Sequence, residues 1–396
     1  MNASPFDDVS LARLRERRTV KWSLHGPDVL AAWVAEMDFD VAPAVKAALL
    51  DAVDREDFGY VEADTSELTA ACVGFLSAVH GWDVSPRRVF LVADVLAGIT
   101  GALDLFVPPG APVVLPTPAY PPLFDVVELS GRPVAPVAME DTDEGWALDL
   151  DGIDAALAAG ARAVLLTSPH NPTGRVFTAG ELVALAAVVD RHDARVVADE
   201  VHGPLTYPGH PFVPYASVGE AAAAHAVTVT SASKAWNLAG LKCAQVVATN
   251  HEDAARWRQI PLFAVPGPTP LGLAASTAAY RDGGDDRGWR ADLVAYLDAN
   301  RRRLVELVEA ELPGVRLHRP EGTYLAWLDA TALGLDDPAR FFLDEARVAL
   351  SDGPAYGGTG AGERAAYAGH LRLNFATSAA LLDRIVGAMG EALGRR

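Results

Sequence analysis

The stretch Ala226-Val-Thr-Val-Thr-Ser-Ala-Ser-Lys234-Ala-Trp-Asn-Leu-Ala-Gly-Leu-Lys242 holds two of the four lysines in the sequence, while arginine carries almost all the other positive charge. Arginine stays protonated, but a lysine amine can condense with a carbonyl once burial or a neighbouring cation lowers its pKa. The β-prone run up to Thr230 leads into small polar residues, which is typical of a strand that ends in a turn. We therefore predict a reactive Lys234 at a strand end, with a buried structural lysine as the alternative.

Composition excludes several classes of protein. The 396 residues are half apolar, enough for a globular protein of two domains. The net charge is −19, from 33 basic and 52 acidic residues, which opposes binding to nucleic acid or to an anionic membrane. No apolar run reaches the roughly 18 residues of a membrane span, and the acidic N-terminus lacks a signal pattern. Two cysteines, Cys72 and Cys243, are too few for a disulfide framework and predict a cytoplasmic protein.

Between about residues 90 and 249, short apolar strands alternate with helical patterns. The predicted strands are 89–93, 112–117, 132–138, 163–169, 195–201, 226–231 and 244–249, and helical patterns near 96–106, 119–130, 151–159 and 179–192 separate most of them. Strands that are apolar throughout, such as 163–166, belong to a sheet covered on both faces. The pattern predicts an α/β domain with a mostly parallel sheet of about seven strands.

The pattern changes after Gly288. The predicted elements there are a long helix at 289–312, a strand at 324–328, a helix near 338–346, a strand at 370–376 and a terminal helix. They indicate a smaller α+β domain, and the first forty residues are too short to fold alone. We therefore predict a large domain at 45–285 and a small domain formed by 1–44 and 286–396. Two glycine-rich stretches, 281–288 and 351–362, predict a break between elements and a long mobile loop.

Polar residues follow three of the predicted strands. In an open α/β sheet, ligands bind beyond the carboxyl ends of the strands. Asp199 ends an apolar strand, so we expect it to be partly buried and to need a cationic partner; an N-cap to a helix is the alternative. His202 could reach the same ligand or be a solvated loop histidine. Asn171, held between Pro172 and Gly174, could bind a ligand or simply be a turn residue.

Two further features lie close to the first strands of the sheet. Asp94 is predicted to cap a helix whose first amides, at Val95 and Leu96, can bind an anion. Tyr120 offers a flat face for a heteroaromatic ring, although it could equally belong to the core. Each of these signals is weak when it is taken alone.

Taken together, these residues describe one ligand. Asp199 suits a pyridinium N–H, Asn171 suits a phenolic oxygen, and Lys234 suits an aldehyde. The helix amides and the serines of the lysine turn suit a phosphate. Pyridoxal 5'-phosphate carries all four groups, and no metal is indicated.

Nearly end to end, the sequence resembles the fold-type I pyridoxal-phosphate enzymes of the class I/II aminotransferase superfamily. Within that superfamily, it is most similar to the MalY/PatB-like cystathionine β-lyases, also called C–S β-lyases. The motifs occur in family order: WVAEMDF at 33–39, Gly59-Tyr60, PAY at 118–120, SPHNPTG at 168–174, DEVH at 199–202, SASK at 231–234, GTYLAWLD at 322–329 and RLN at 372–374. The resemblance implies the aminotransferase-like fold type I, a pyridoxal 5'-phosphate cofactor, a small-molecule amino-acid substrate, and a homodimer with shared active sites.

The resemblance also implies a role for each matched residue. Lys234 would form the Schiff base, Asp199 would pair with the ring nitrogen, and Asn171 would bond the phenolic oxygen with His202 nearby. Tyr120 would stack on the ring, and Arg372 would bind the substrate carboxylate. The phosphate would be held by Val95, Leu96, Ser231, Ser233, Lys242 and Tyr60, the last of these reaching the phosphate in the neighbouring subunit.

Two positions depart from the family pattern. Asp94 stands where many relatives have glycine, and we expect it to be a helix cap that faces away from the phosphate. Lys242 stands where aminotransferases commonly place an arginine, eight residues after the Schiff-base lysine. The lysine keeps the positive charge and loses the bidentate fork.

The resemblance favours β-elimination from L-cysteine S-conjugates such as cystathionine, which gives a thiol, pyruvate and ammonia. An aminotransferase is the first alternative, since every residue above would serve transamination equally well. A tailoring enzyme of secondary metabolism that acts on a cysteine thiol conjugate is the second. A cofactor-dependent regulator that binds DNA or a transcription factor is the third, and the net charge opposes binding to DNA.

Overall fold

The computed structural model describes residues 4–62, 64–261, 264–285 and 288–396, and a seven-stranded sheet forms its centre. In spatial order the strands are Val89–Val92, Ala244–Ala248, Ala226–Thr230, Arg195–Asp199, Ala163–Thr167, Val113–Thr117 and Val134–Ala138. Within this sheet Ala244–Ala248 alone runs antiparallel to its neighbours. The predicted mostly parallel sheet is confirmed, and each predicted strand end is shifted by at most two residues.

The sheet is covered on both faces, as the apolar strands predict. Alternate residues of Ala163–Thr167 point to opposite faces, and they belong to two separate apolar clusters. Val164 and Leu166 lie in one cluster, whereas Ala163 and Leu165 lie in the other. Every residue of this strand is buried, so its polar neighbours are confined to the strand end.

The described residues also form α-helices of 4 to 23 residues. The α-helices are Leu11–Arg15, Val20–Ser23, Pro43–Asp54, Ser66–His80, Val95–Phe106, Pro121–Leu129, Leu150–Ala158, Ala179–Arg191, Glu220–His225, His251–Trp257, Pro270–Gly283, Trp289–Glu311, Pro338–Phe341, Ala361–Ala365 and Ala379–Gly394. No helix of the described residues is both long enough and apolar enough to cross a membrane.

A second sheet of four antiparallel strands follows. Its strands, in spatial order, are Arg316–Leu317, Leu325–Asp329, His370–Asn374 and Ser351–Asp352. Trp289–Glu311 and Ala379–Gly394 pack against each other. The division into domains at 45–285 and at 1–44 with 286–396 stays a prediction. Residues 1–3 and 286–287, at the starts of the two small-domain segments, lie outside the described residues.

The N-terminal segment is tied to the far end of the chain. Leu30–Ala31 forms a parallel pair with Val348–Ala349. Beyond it, the carbonyl of Trp33 accepts a hydrogen bond from Arg372 Nη2 at 2.7 Å, and the carbonyl of Glu36 accepts one from Asn374 Nδ2 at 2.7 Å. These bonds hold the backbone of residues 33–36 against the four-stranded sheet.

The prediction of a long mobile loop over 351–362 is wrong for its first half. Ser351–Asp352 is a strand and Gly353–Tyr356 a 3-10 helix. Tyr356 is 2% exposed and lies against Trp327. A Cβ at Gly353 would lie 2.3 Å from the carbonyl oxygens of Tyr367 and His370. This glycine therefore serves close backbone packing.

Candidate active site

A cavity of about 160 Å³ opens beyond the carboxyl ends of the large sheet's parallel strands. Ten of the twelve predicted site residues line it: Val95, Leu96, Tyr120, Asn171, Asp199, His202, Ser231, Ser233, Lys234 and Lys242. The strands Ala163–Thr167 and Arg195–Asp199 are in register there, with Thr167 opposite Asp199. Residues that are remote in sequence meet at this edge because the strands leading to them are parallel.

Lys234 follows the strand Ala226–Thr230 and reaches into the cavity. Its Nζ donates a hydrogen bond to the carbonyl oxygen of Ala35 at 3.2 Å. Tyr324 donates to the same carbonyl through its hydroxyl at 2.9 Å. Burial, and next the nearby charge of Arg372, lower the pKa of the Lys234 amine to about 8. About a tenth of the amine is therefore unprotonated at pH 7 and able to act as a nucleophile, far more than for a lysine of ordinary pKa.

Asp199 is the last residue of its strand and is buried. Its Oδ1 accepts a hydrogen bond from the amide of Val201 at 3.2 Å. Turns follow it at 201–204, so the alternative of a helix cap does not apply. Burial raises the pKa of Asp199 to about 6, although the Val201 amide and the charge of Lys234 oppose the rise. A cation at this end of the cavity would stabilise the ionised carboxylate.

His202 is also buried, which contradicts the reading as a solvated loop residue. Its pKa lies well below the usual value because of burial and then the charges of Lys234 and Arg372, so the ring is neutral. Its Nδ1 has no hydrogen-bond partner among the described residues. A buried polar atom without a partner is costly, so this nitrogen favours a polar ligand atom in the cavity.

Arg372, in the strand His370–Asn374, does not line the cavity but contacts it through Asn171. Its Nη1 donates to Asn171 Oδ1 at 2.9 Å, and its Nη2 donates to Ser351 Oγ at 3.2 Å. The guanidinium lies 5.3 Å from the ring centre of Tyr356. Its Nε is buried and has no partner among the described residues. One edge of the guanidinium is therefore fixed by the protein, and Nε retains a hydrogen bond to donate.

The opposite end of the cavity is formed by the N-terminus of the helix Val95–Phe106. Asp94 caps this helix, since its Oδ1 accepts from the amide of Ala97 at 2.9 Å. The expectation that Asp94 faces away is wrong. Asp94 lines the cavity, and its Oδ2 accepts from Lys242 Nζ at 2.7 Å.

The hydroxyl of Ser231 is engaged within the lysine turn. Its Oγ donates to the carbonyl of Cys243 at 2.7 Å and accepts from the amide of Ser233 at 3.0 Å. The hydroxyl proton therefore has a partner, and a bond to a phosphate requires it to rotate. Tyr120 lines the same cavity and immediately precedes the helix Pro121–Leu129. Burial raises the pKa of its phenol, so it is uncharged.

Tyr60 is the predicted residue that lies away from the cavity. It is fully exposed, at 104%. It lines two surface grooves, one with Arg55 and Arg281 and the other with Phe90 and Trp257. Within this chain Tyr60 therefore does not contribute to the cavity.

The sequence model of a protein family described as aminotransferase class I and II matches residues 33–389. The chain belongs to the aminotransferase class I and II family. Among relatives, a cystathionine beta-lyase of Corynebacterium glutamicum is 37% identical over 94% of this chain and 96% of its own. The cystathionine beta-lyase PatB of Bacillus subtilis is 31% identical over 92% of this chain and 94% of its own. The resemblance to the MalY/PatB group is confirmed.

A solved structure supports the fold type of this aminotransferase class I and II protein. Cystalysin from Treponema denticola, whose structure contains a pyridoxal 5'-phosphate cofactor, superposes with a TM-score of 0.90. It is 25% identical, with 100% of both chains covered. The aminotransferase-like fold type I predicted from the sequence is confirmed.

Sequence reasoning missed several residues that line the cavity of this aminotransferase class I and II protein. Ala35 contributes a backbone carbonyl, Thr167 ends a central strand, and Cys243 accepts the Ser231 hydroxyl through its carbonyl. Ala35 lies within the recognised WVAEMDF motif, which was a usable signal. Backbone carbonyls carry no residue-type signal, so Cys243 could not have been found from its side chain.

Proposed function

We propose that the protein catalyses pyridoxal-phosphate-dependent β-elimination from L-cysteine S-conjugates such as cystathionine, releasing a thiol, pyruvate and ammonia. The observation that carries the pyridoxal-phosphate chemistry is the Lys234 amine with a pKa of about 8, in one cavity with Asp199, Asn171 and His202. Full-length similarity to cystathionine β-lyases supports the choice of reaction.

The residues of the cavity fit the cofactor. The unpartnered Nδ1 of His202 and the Oδ2 of Asp199, which accepts no hydrogen bond from the described residues, are polar atoms available to a heteroaromatic ligand. We propose that Asp199 pairs with the ring nitrogen, while Asn171 and His202 bond the phenolic oxygen. Tyr120 would face the ring, and the amides of Val95 and Leu96, with Ser231, Ser233 and Lys242, would hold the phosphate.

When bound, pyridoxal 5'-phosphate supplies an electron sink for the pair left on the substrate Cα. The protein's residues then hold and move the other groups. We propose that Arg372 binds the substrate carboxylate, using Nε, which has no partner among the described residues. Lys234 is the base within reach that can take the Cα proton and return a proton to the departing sulfur. The Cβ–S bond breaks, and water later releases pyruvate and ammonia.

We also propose a cytoplasmic homodimer with shared active sites. Tyr60 is exposed, and so is Phe58, two residues before it in the sequence. The groove that it shares with Phe90 and Trp257 has an apolar lining. Exposed aromatic side chains and an apolar groove are both typical of a protein contact surface. In a second copy, Tyr60 would complete the phosphate end of the neighbouring cavity.

The test combines product analysis with an acceptor control. The purified protein, loaded with pyridoxal 5'-phosphate, is given cystathionine or an S-alkylcysteine, and pyruvate and ammonia are measured. β-Elimination predicts stoichiometric pyruvate without any added 2-oxo acid. The family also contains aminotransferases, so turnover that requires a 2-oxo acid and releases no pyruvate would overturn the lyase and establish transamination. A variant Lys234→Ala, expected to be inactive, controls for contaminating lyases.

A further inference from the structure

The phosphate end of the cavity includes a carboxylate, that of Asp94, as well as the ammonium of Lys242. Asp94 and Lys242 both line this end, and their side chains form an ion pair with Nζ and Oδ2 2.7 Å apart. The side chains are 35% and 51% exposed, respectively, so the pair is only partly screened by water. Lys242 has a φ of 56°, in the left-handed region, which fixes the direction in which its side chain starts.

Asp94 also occupies the helix N-terminus. Its Oδ1 accepts the amide of Ala97 at 2.9 Å. Burial alone would raise the pKa of Asp94, but the hydrogen bonds from Lys242, Ala97 and Leu96 lower it, so the carboxylate is ionised at neutral pH. Leu96 is one of the two residues whose amides are proposed for the phosphate. A resident anion therefore competes for the positive end of the helix dipole.

The side chains at this end carry no net charge. Lys242 contributes one positive charge and Asp94 one negative charge, while Ser231 and Ser233 are neutral. A phosphate monoester carries nearly two negative charges at neutral pH. It would be held by amides, hydroxyls and the helix dipole, and Asp94 would repel it.

We propose that Asp94 weakens the binding of the cofactor phosphate by neutralising Lys242 and by repelling the phosphate itself. The cofactor of this protein is then more readily exchanged than it would be with an uncharged cap at this position. The inference rests on the proposed function only in requiring that a pyridoxal phosphate binds at Lys234. In the opposite role, Asp94 would orient Lys242 and so strengthen phosphate binding. Replacing Asp94 would then lower the affinity for the cofactor instead of raising it.

The test removes the negative charge of residue 94 and keeps its side chain as a helix cap. Asn and Ser both cap helices well, so Asp94→Asn and Asp94→Ser retain the hydrogen bond to Ala97. Asp104→Asn is the matched control, since Asp104 lies on the same helix, away from the cavity, and pairs with Arg132 at 2.9 Å. It changes the net charge of the chain by the same amount.

Cofactor-free protein is titrated with pyridoxal 5'-phosphate and, separately, with pyridoxal, which has the aldehyde but no phosphate. Binding is followed by the change in absorbance when the aldehyde bonds to Lys234. Release is followed by the reversal of that change after dilution. Both Asp94 variants are expected to bind the phosphorylated form about two- to fivefold more tightly, the range for one partly exposed charge pair. Pyridoxal affinity is expected to stay unchanged, and Asp104→Asn is expected to behave as the unsubstituted protein.

Equal or weaker binding of the phosphorylated form by both Asp94 variants would overturn the inference, and so would an equal gain for pyridoxal. These results leave the proposed function standing, because the unsubstituted protein still binds the cofactor. Failure of the unsubstituted protein to bind either aldehyde would instead overturn the proposed function, and the inference with it.

Discussion

Two of the four lysines bring their amines to the same short segment of backbone and differ in their other partners. Lys21 Nζ donates to the carbonyl of Glu36 at 2.9 Å, and Lys234 Nζ donates to the carbonyl of Ala35 at 3.2 Å. Lys21 also pairs with Asp38 at 2.9 Å, and both of those side chains are 1% exposed. Among the described residues, no carboxylate lies within ion-pair distance of Lys234.

The difference separates a structural cation from a reactive amine. Asp38 also accepts from Trp22 Nε1 at 2.8 Å, so the charge on Lys21 is held in a bonded cluster. The Lys234 amine is hydrogen-bonded to the carbonyl of Ala35 and has no carboxylate partner among the described residues, and desolvation lowers its pKa to about 8. A buried amine without a carboxylate partner has a lowered pKa, and its neutral form can act as a nucleophile.

The strongest way to break this contrast is Lys234→Ala. We expect cofactor-loaded activity to fall by at least about 10⁴-fold, because both the covalent anchor and the proton-transfer group are lost. The thermal midpoint of the cofactor-free protein should not fall, since a partly desolvated amine without a counter-ion is removed. Pyruvate release and circular dichroism melting measure the two effects. Residual activity within tenfold of the unsubstituted protein would contradict the assignment.

Lys21→Met tests the other lysine. Removing the cation leaves Asp38 buried and unpaired, which should lower the free energy of unfolding by about 3–5 kcal/mol. Equilibrium denaturation measures the loss, and the absorbance of bound cofactor should persist in the folded fraction. The double variant Lys21→Met with Asp38→Leu is the control and should recover much of the stability. Loss of the cofactor absorbance without any loss of stability would reverse the roles of the two lysines.

Asp199→Asn extends the comparison to two buried carboxylates, Asp199 in the cavity and Asp38 beside Lys21. We expect activity to fall by about 10²–10³-fold, since an amide cannot stabilise a ring cation as a carboxylate does. The pKa of Asp199 is raised to about 6 by burial, so its ionised form costs stability above its unfolded pKa. The cofactor-free variant should therefore be as stable as the unsubstituted protein or more so at pH 8. A large fall in its thermal midpoint would show that Asp199, like Asp38, is mainly structural.

The pH dependence of cofactor capture gives the smallest effect. Capture requires the neutral amine, and the pKa of Lys234 is lowered to about 8. The association rate should therefore rise about tenfold per pH unit below that value and level off above it. Stopped-flow absorbance measures the rate, with N-acetyl-lysine as the reference amine at its ordinary pKa. A rate for the protein that keeps rising to about pH 10 would contradict the lowered pKa.

Sequence reasoning succeeded where the signal is local. The apolar runs around Val164 and Val196 defined the sheet, and the residues that follow parallel strands had to meet at one edge. It failed where a site residue contacts a residue that is distant in sequence. Nothing near Asp94 in sequence indicates Lys242, and nothing near Lys234 indicates the carbonyl of Ala35. Glycine richness was misread at 351–362, because close backbone packing at Gly353 selects the same residue as a loop does.

The parallel pairing of Leu30–Ala31 with Val348–Ala349 has a consequence for biosynthesis. The strand partner of the N-terminal segment is made more than three hundred residues later, and Arg372 and Asn374, which hold the carbonyls of Trp33 and Glu36, come later still. A nascent chain on the ribosome can therefore form the large sheet well before the carbonyl of Ala35 is fixed against Lys234. The cavity can therefore be completed only near the end of translation. Chains truncated before residue 348 lack the strand and side chains that hold the carbonyl of Ala35 beside Lys234.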